Sequence, residues 1–290
     1  MSSITSFNST NVRNALALAW LRIELSAKSA LAPHKAVDKA ARLFTTPPRF
    51  EHTPPERALL AAGIRHDLRN SEQRIATWRF GPADRAAVVL CHGWGGRGAQ
   101  LRAFVPALLD AGYQAIIFDH VGHGASEGRE ATLVRFVRGL DAVIHDVRLR
   151  GVAVAAIIGH SLGAAAATAW MNDTGDQLRA VLIAPPTSLE RYSGFFARKL
   201  GIAESVRSQM QERLERRLGR RWSEFELPQS VANVRGEALV IHDDGDRDVA
   251  PAWRRRFHRR ARGVRSTPGA RRPAGLLCTR THRLKKGEAA

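Results

Sequence analysis

Five short apolar runs recur along the chain, at 86–91, 114–119, 153–158, 179–184 and 237–242. Each run is continuous rather than alternating, which is typical of strands that are buried on both faces. Segments with helical periodicity separate the runs. Strands that alternate with helices at this spacing imply right-handed crossovers in a parallel sheet. The sequence therefore predicts an α/β fold with a mostly parallel central sheet and helices on both faces.

The remaining segments predict how this core is elaborated. "IRHDLR" and "RIATWRF", ahead of the first run, alternate in polarity and predict an antiparallel hairpin at the sheet edge. Residues 187–235 are charged and helical in period, which predicts a small helical lid over the end of the sheet. We expect residues 1–50 to form an N-terminal helical arm, with the core at 51–186 and 236–290.

Polar motifs follow four of the apolar runs. They are "HGWGG" at 92–96, "DHVGHGASEG" at 119–128, "GHSLG" at 159–163 and "HDDGDRDV" at 242–249. In open parallel sheets, ligands bind beyond the carboxyl ends of the strands, where these motifs are expected to meet. The sequence therefore predicts one site that is built from all four motifs.

These motifs resemble those of the α/β-hydrolase family, over roughly residues 60–252, and most closely its serine-hydrolase branch with an H-G-x-G-G oxyanion motif. The resemblance implies that Ser161 is the nucleophile, on a strained strand-to-helix turn. It also implies that the backbone N–H groups of Trp94 and Leu162 form the oxyanion hole. Two alternatives are that Ser161 only caps a helix and that Trp94 only packs a loop.

The acid of the triad is expected among four aspartates after the last run. The family pattern H-G-x-x-D-x-x-V-P matches at His242, Asp246 and Val249, so Asp246 is the predicted partner of the catalytic histidine. The other aspartates are Asp243, Asp244 and Asp248. Their spacing lacks the glycine and the terminal glutamate of a calcium loop, so we expect no metal.

Two candidates for the catalytic histidine, His258 and His282, follow the acid. His282 is the preferred base, since it comes after "AGLLCTRT", which is a plausible final strand. The alternative is a solvated histidine in a basic tail. His120 and His123 are expected to support a loop and to have no catalytic role.

The lid offers two aromatic side chains that could contact an acyl group. Phe195 and Phe196 lie in "GFFARKLGI", and we predict that they line the substrate pocket. The alternative is that they pack the lid onto the sheet.

The net charge of +18 is concentrated at the C-terminus. Residues 253–290 hold 13 of the 45 lysines and arginines and one of the 27 acidic residues, so they carry +12. This tail lacks the interleaved aromatics of a nucleic-acid platform, so no nucleic-acid partner is expected. Because residues 254–290 are basic and poor in apolar side chains, our hypothesis is that they pack poorly and misplace His282.

Two distant cysteines, Cys91 and Cys278, form no disulfide framework and favour a reducing, cytoplasmic location. The apolar run at 15–21 is too short to span a bilayer and is interpreted as a helix. The sequence gives no indication of oligomeric state.

The expected function is that of a serine hydrolase that cleaves an ester, a thioester or a similar small acyl substrate without a cofactor. Two alternatives remain open. One is an acyltransferase that uses the same residues, and the other is a non-catalytic protein of the same fold with an incomplete triad.

Overall fold

The computed structural model describes residues 5–70, 73–186, 188–226, 234–241 and 264–267. In this part of the chain, eight strands form one sheet in the order β1-β2-β4-β3-β5-β6-β7-β8. The pairs β1–β2 and β2–β4 are antiparallel, and all the other neighbours are parallel. The strands are β1 Ile64–Asn70, β2 Gln73–Phe80, β3 Ala87–Cys91, β4 Gln114–Phe118, β5 Val154–His160, β6 Arg179–Ile183, β7 Ala238–Ile241 and β8 Val264–Thr267.

The predicted α/β fold is confirmed, and so is the antiparallel hairpin at the sheet edge, which is β1 and β2. All five residues of β3 and of β4 are buried, as continuous apolar runs predict. The helices are α1 Thr5–Leu31, α2 Pro33–Thr45, α3 Pro54–Ala62, α4 Phe104–Asp110, α5 Leu133–Leu149, α6 Leu162–Thr174, α7 Leu189–Leu200 and α8 Glu204–Leu218. Of the described helices, none is long and apolar enough to cross a membrane.

Helices cover both faces of the sheet. On one face, the apolar sides of α5 and α6 pack against the strands, with Leu140, Ile144 and Trp170 fully or almost fully buried. The Trp170 indole N–H donates to the Asp141 carboxylate at 2.8 Å, which joins the two helices. On the other face, Leu101 and the start of α4 form a second core with β2, β3 and β4.

Helices α1 and α2, the predicted N-terminal arm, pack together with α7 and α8, the predicted lid, in one helical layer. A third core holds Leu25 of α1, Val37 of α2, Ala197 of α7 and Met210 of α8, all of them buried. A row of aromatic rings joins it, in which Phe44 stacks on Trp222 with ring centroids 5.4 Å apart. The arm is therefore packed against the lid and is not an isolated extension.

The sequence pattern does not predict one of the described strands. The last described strand, β8, lies at 264–267 and pairs in parallel with β7, whereas the sequence favoured a final strand at 274–281. "VRST" contains a single apolar residue, so its sequence gives no strand pattern, and pairing with β7 forms it instead. The hypothesis that the chain packs poorly from about 254 and misplaces His282 stays a prediction. Residues 274–281 lie outside the described part.

Candidate active site

Ser161 lies on the sharp turn that joins β5 to α6. Its backbone has φ of 51° and ψ of −121°, a region that residues other than glycine rarely adopt and that costs about 1–3 kcal/mol. The Ser161 N–H donates to the carbonyl of Ile183 in β6 at 2.8 Å, and the Ser161 carbonyl accepts from the first turn of α6. The strain is therefore maintained by hydrogen bonds to a neighbouring strand and to the helix.

Two glycines allow the strand and the helix to approach at this turn. A Cβ atom at Gly159 would lie 2.7 Å from the Cα of Ala164. A Cβ at Gly163 would lie 2.3 Å from the carbonyl oxygen of Cys91 and 2.4 Å from that of His92. Because these obstacles are backbone atoms, neither site has room for a side chain. A helix cap alone would not require this crowding, so the spacing favours a nucleophile elbow.

The "HGWGG" segment forms a tight turn directly beside the elbow. A Cβ at Gly93 would lie 2.9 Å from the Cβ of Ser161, so the backbone of this turn contacts the serine. The turn closes with the Gly96 N–H donating to the Gly93 carbonyl at 3.0 Å, and Gly95 has a φ of 64°. Trp94 is the second residue of the turn and is partly buried.

Leu162 is the first residue of α6, directly after the serine. The N–H groups in the first turn of a helix have no acceptor within the helix, and the helix dipole favours a negative charge there. The turn at 93–96 and the start of α6 thus both lie directly beside Ser161.

Three buried histidines, His92, His120 and His123, lie between the turn at 93–96 and the loop at 119–128. The Nε2 of His92 accepts from the backbone N–H of His120 at 3.0 Å, and the Nε2 of His123 accepts from the N–H of Gly95 at 3.0 Å. The other nitrogen of each ring, Nδ1, contacts a carbonyl, that of Gly93 for His92 and that of Val121 for His123. Each acceptor nitrogen must be unprotonated, so these contacts require neutral rings that carry the proton on Nδ1.

Burial keeps these rings neutral. It lowers the pKa of His92 to about 4 and that of His123 to about 3, and it lowers the pKa of His120 well below its usual value. The neighbouring histidines contribute to the lowered pKa values of His120 and His123. His120 also stacks on Phe136 with ring centroids 3.7 Å apart. We therefore assign the three histidines to the support of the loops, as the sequence predicted for His120 and His123.

Asp119, at the end of β4, joins two loops through its carboxylate. Oδ1 accepts from the Gly98 N–H at 2.7 Å, and Oδ2 accepts from the Ala125 N–H at 2.8 Å. The residue is fully buried. A Cβ at Gly124 would lie 2.0 Å from Oδ2, so the 119–128 loop is folded tightly around this carboxylate.

Two further contacts fix these loops, and the sequence analysis missed both. Arg49, which follows α2, donates to the carbonyls of Gly124, Ser126 and Gly128 at 3.1, 3.0 and 2.6 Å. Arg97 and Glu56 form a buried ion pair, with Arg97 Nη2 2.6 Å from Glu56 Oε2. Each pair is more than 40 residues apart in sequence, so no local motif indicates it.

Glu56 is charged despite its position. Burial alone would raise its pKa, but hydrogen bonds from the Thr53 N–H and from Arg97 outweigh this effect and lower the pKa. The carboxylate therefore both caps α3 and neutralises Arg97, which directly follows the turn at 93–96.

Side chains of α7 and α8 pack against the same small core as Trp94 and Leu162. This core includes the buried Phe225, and the partly buried side chains packed against it include Trp94, Leu162, Leu189 of α7 and Leu218 of α8. Phe196 instead packs edge-on against Phe44 of α2, with ring centroids 5.2 Å apart, and Phe195 is 50% exposed. The contact of Phe196 is thus with the arm, and the predicted substrate role of the two phenylalanines stays a prediction.

The remaining predicted site residues, Asp246 and His282, lie outside the described residues, as does the alternative His258. Within the described part, no cluster of three or more histidine, cysteine, aspartate or glutamate side chains could hold a metal ion.

Comparison with known protein families agrees with this geometry. A family model described as serine aminopeptidase, S33, matches residues 82–232, which is just over half of the chain. The chain belongs to this family. It is therefore an α/β-hydrolase enzyme, and the turns at 93–96 and 159–163 and most of the predicted lid lie inside the matched range.

One relative of this S33-family hydrolase matches only part of the chain. The 30 kDa subunit of magnesium chelatase from Rhodobacter capsulatus is 39% identical over 98 residues, which span 32% of this chain and 33% of that protein. The match thus covers about a third of the relative's length.

Solved structures share the fold at low identity. Esterase Pf2001 of Pyrococcus furiosus is 18% identical with a TM-score of 0.58, over 77% of this chain and 88% of the esterase. A thioesterase domain from the curacin biosynthetic pathway is 14% identical with a TM-score of 0.54, over 71% of this chain and 92% of the domain. At these identities the likeness concerns the fold.

Proposed function

We propose that this hydrolase cleaves a carboxylic ester, a thioester or a similar small acyl compound through an acyl-enzyme intermediate on Ser161. The hydroxyl of Ser161 attacks the acyl carbon, and its proton passes to a histidine, for which His282 is our choice. Asp246 orients that histidine and stabilises its protonated form. The leaving group departs with the proton, and water then releases the acid by the same steps.

The observation that carries this proposal is the strained backbone of Ser161, with φ of 51°, between two glycines that admit no Cβ. The negative oxygen of the tetrahedral intermediate would be bound by the N–H groups of Leu162 and Trp94. Backbone donors of this kind are already oriented before the reaction, so they stabilise developing charge at little cost.

The first experiment is labelling with a fluorophosphonate probe, followed by mapping of the labelled peptide. We expect modification of Ser161, no labelling of Ser161→Ala, and loss of hydrolysis by several orders of magnitude in that variant. Ser29→Ala is a matched control, because this hydroxyl donates only to a carbonyl of its own helix. Hydrolysis by Ser161→Ala within tenfold of the unchanged protein would overturn the proposal.

The base is tested separately with His282→Ala and His258→Ala. Loss of labelling in the first variant alone supports His282, whereas loss in the second alone assigns the base to His258. If the unchanged protein fails to label and is inactive, the alternative of a non-catalytic protein with an incomplete triad is correct.

The substrate class is tested with p-nitrophenyl esters of increasing chain length, an acyl thioester and an aminoacyl p-nitroanilide. The last compound is included because the family is named for serine aminopeptidases. Phe196→Ala should change the chain-length preference if this side chain also lines the pocket. It should change only the melting temperature if its sole role is to pack against Phe44. An acyl-enzyme that an added alcohol discharges faster than water would indicate an acyltransferase.

A further inference from the structure

Helix α1 presents an exposed row of apolar side chains along one face. Leu16, Trp20 and Ile23 are 64%, 70% and 61% exposed, and Leu31, two turns further, is 86% exposed. Their spacing of three, four and eight residues places them on one side of a helix that turns about 100° per residue. Ala27, which is also exposed, continues the row between Ile23 and Leu31.

The opposite face of the same helix accounts for its attachment to the protein. Leu25 is completely buried in the core that α1 shares with α2, α7 and α8, and Leu18 and Leu21 pack against that core. The exposed row is therefore not needed to hold α1 in place. Contiguous exposed apolar surface of this kind marks an interaction surface.

Cations border the exposed row. A cavity of about 450 Å³ beside α1 is lined by Lys28, Lys35, Asp38, Lys39, Arg42 and Leu43. Glu24 hydrogen-bonds to Lys28 and Lys39, and Asp38 pairs with Arg213 of α8. Both acidic groups are thus paired with cations, and the cavity lining and its neighbours keep an excess of positive charge. On α7, which contacts α1, the exposed Arg198 and Lys199 add to it.

We propose that this face of α1 docks on the surface of an anionic phospholipid bilayer. Helices that lie in the plane of a membrane interface bury an apolar face with leucine and tryptophan, while lysines and arginines contact the headgroups. The exposed row on α1 supplies the apolar face, and the lysines and arginine that line the neighbouring cavity supply the cations. A second copy of this chain would fit less well, because a symmetric contact brings the two cationic borders together.

The proposal concerns this surface and does not depend on the chemistry at Ser161.

The experiment is co-sedimentation of the full chain with vesicles of phosphatidylcholine alone and with vesicles that contain 30% phosphatidylglycerol. We expect binding to the anionic vesicles that weakens with added salt. The triple variant Leu16→Ser, Trp20→Ser, Ile23→Ser should bind at least tenfold more weakly, and Lys35→Gln with Arg42→Gln severalfold more weakly. The matched control is Ile64→Ser with Leu149→Ser, which removes exposed apolar side chains elsewhere and should not change binding.

Two results would overturn the proposal. Unchanged binding of the triple variant to anionic vesicles would assign lipid binding to another part of the chain, such as the basic residues at 253–290. Failure of the unchanged protein to bind either vesicle would also overturn it, and dimers in solution that the triple variant dissociates would then show that a second copy covers this face. Circular dichroism and thermal unfolding of each variant check that it is folded.

Discussion

The loops around Ser161 and the helical layer formed by the arm and lid are stabilised in different ways. The loops depend on buried polar groups, such as Asp119 and His92, that each bond to particular backbone atoms. The helical layer depends on an apolar core and on exposed ion pairs such as that of Arg213 with Asp38. Removal of a buried hydrogen-bond partner leaves a buried polar group without a hydrogen bond, whereas water replaces an exposed partner. We therefore expect substitutions near the elbow to be far more damaging than those in the arm.

The largest effect is expected for Gly163→Ala. The new Cβ would lie 2.3 Å from the Cys91 carbonyl oxygen, so either β3 or α6 must move. We expect a loss of about 3 kcal/mol or more in the free energy of unfolding, with hydrolysis abolished. Denaturant unfolding measures the first quantity.

The matched control is Gly194→Ala, in the interior of the lid helix α7. A Cβ there has only the end of the Arg198 side chain nearby, at 3.4 Å, so alanine should raise stability by about 0.5–1 kcal/mol. Equal behaviour of the two variants would remove the distinction between elbow and lid.

The second effect concerns the buried pair of Glu56 and Arg97. Glu56→Gln leaves the guanidinium buried without a counter-charge, which should cost about 3 kcal/mol. Because the pKa of Glu56 is lowered in the folded protein, the charged form contributes stability above pH 4.5. That contribution is lost as the pH falls through the folded pKa.

The pH dependence gives the measurement for this pair. Denaturant unfolding from pH 7 to pH 3 should show a smaller acid loss below pH 4.5 in Glu56→Gln than in the unchanged protein. A variant with full stability at pH 7 would contradict the importance assigned to the pair.

How much of this site the sequence could predict depends on how local each signal is. The elbow is local, since Gly159, Ser161 and Gly163 fall within five residues between an apolar run and a helical segment. The turn at 93–96 is local for the same reason. The sheet follows from continuous apolar runs, whose burial in β3 and β4 is complete.

The contacts that fix the loops could not be predicted in this way. Arg49 reaches carbonyls that are 75 to 79 residues away, and backbone carbonyls leave no mark in a sequence. Strand β8 forms because β7 offers a free edge to pair with, while its own residues carry almost no apolar pattern. Both depend on tertiary structure that exists only once the sheet has formed.

A third and smaller effect concerns His123, whose pKa burial lowers to about 3. Between pH 6.5 and pH 3, the unfolded chain binds a proton at this residue that the folded protein excludes. Stability is therefore lost as the pH falls below 6.5, by about 2 kcal/mol at pH 5 for this one group.

His123→Gln tests this assignment, because the amide oxygen can still accept from the Gly95 N–H but does not titrate. We expect its loss of unfolding free energy between pH 7.5 and pH 5 to be about 2 kcal/mol smaller than that of the unchanged protein. An identical loss in both proteins would show that His123 is charged or accessible in the folded state.

The smallest effect is expected in the helical layer, for Asp38→Asn. Its carboxylate pairs with Arg213 across α2 and α8, and both side chains are about half exposed. Water and salt screen such pairs, which commonly contribute about 0–1 kcal/mol. The core of Leu25, Val37 and Met210 beneath them is unchanged and holds the helices together. Thermal and denaturant unfolding of Asp38→Asn should therefore agree with the unchanged protein within about 1 kcal/mol. A loss as large as that of Glu56→Gln would mean that the arm, like the elbow, depends on single polar contacts.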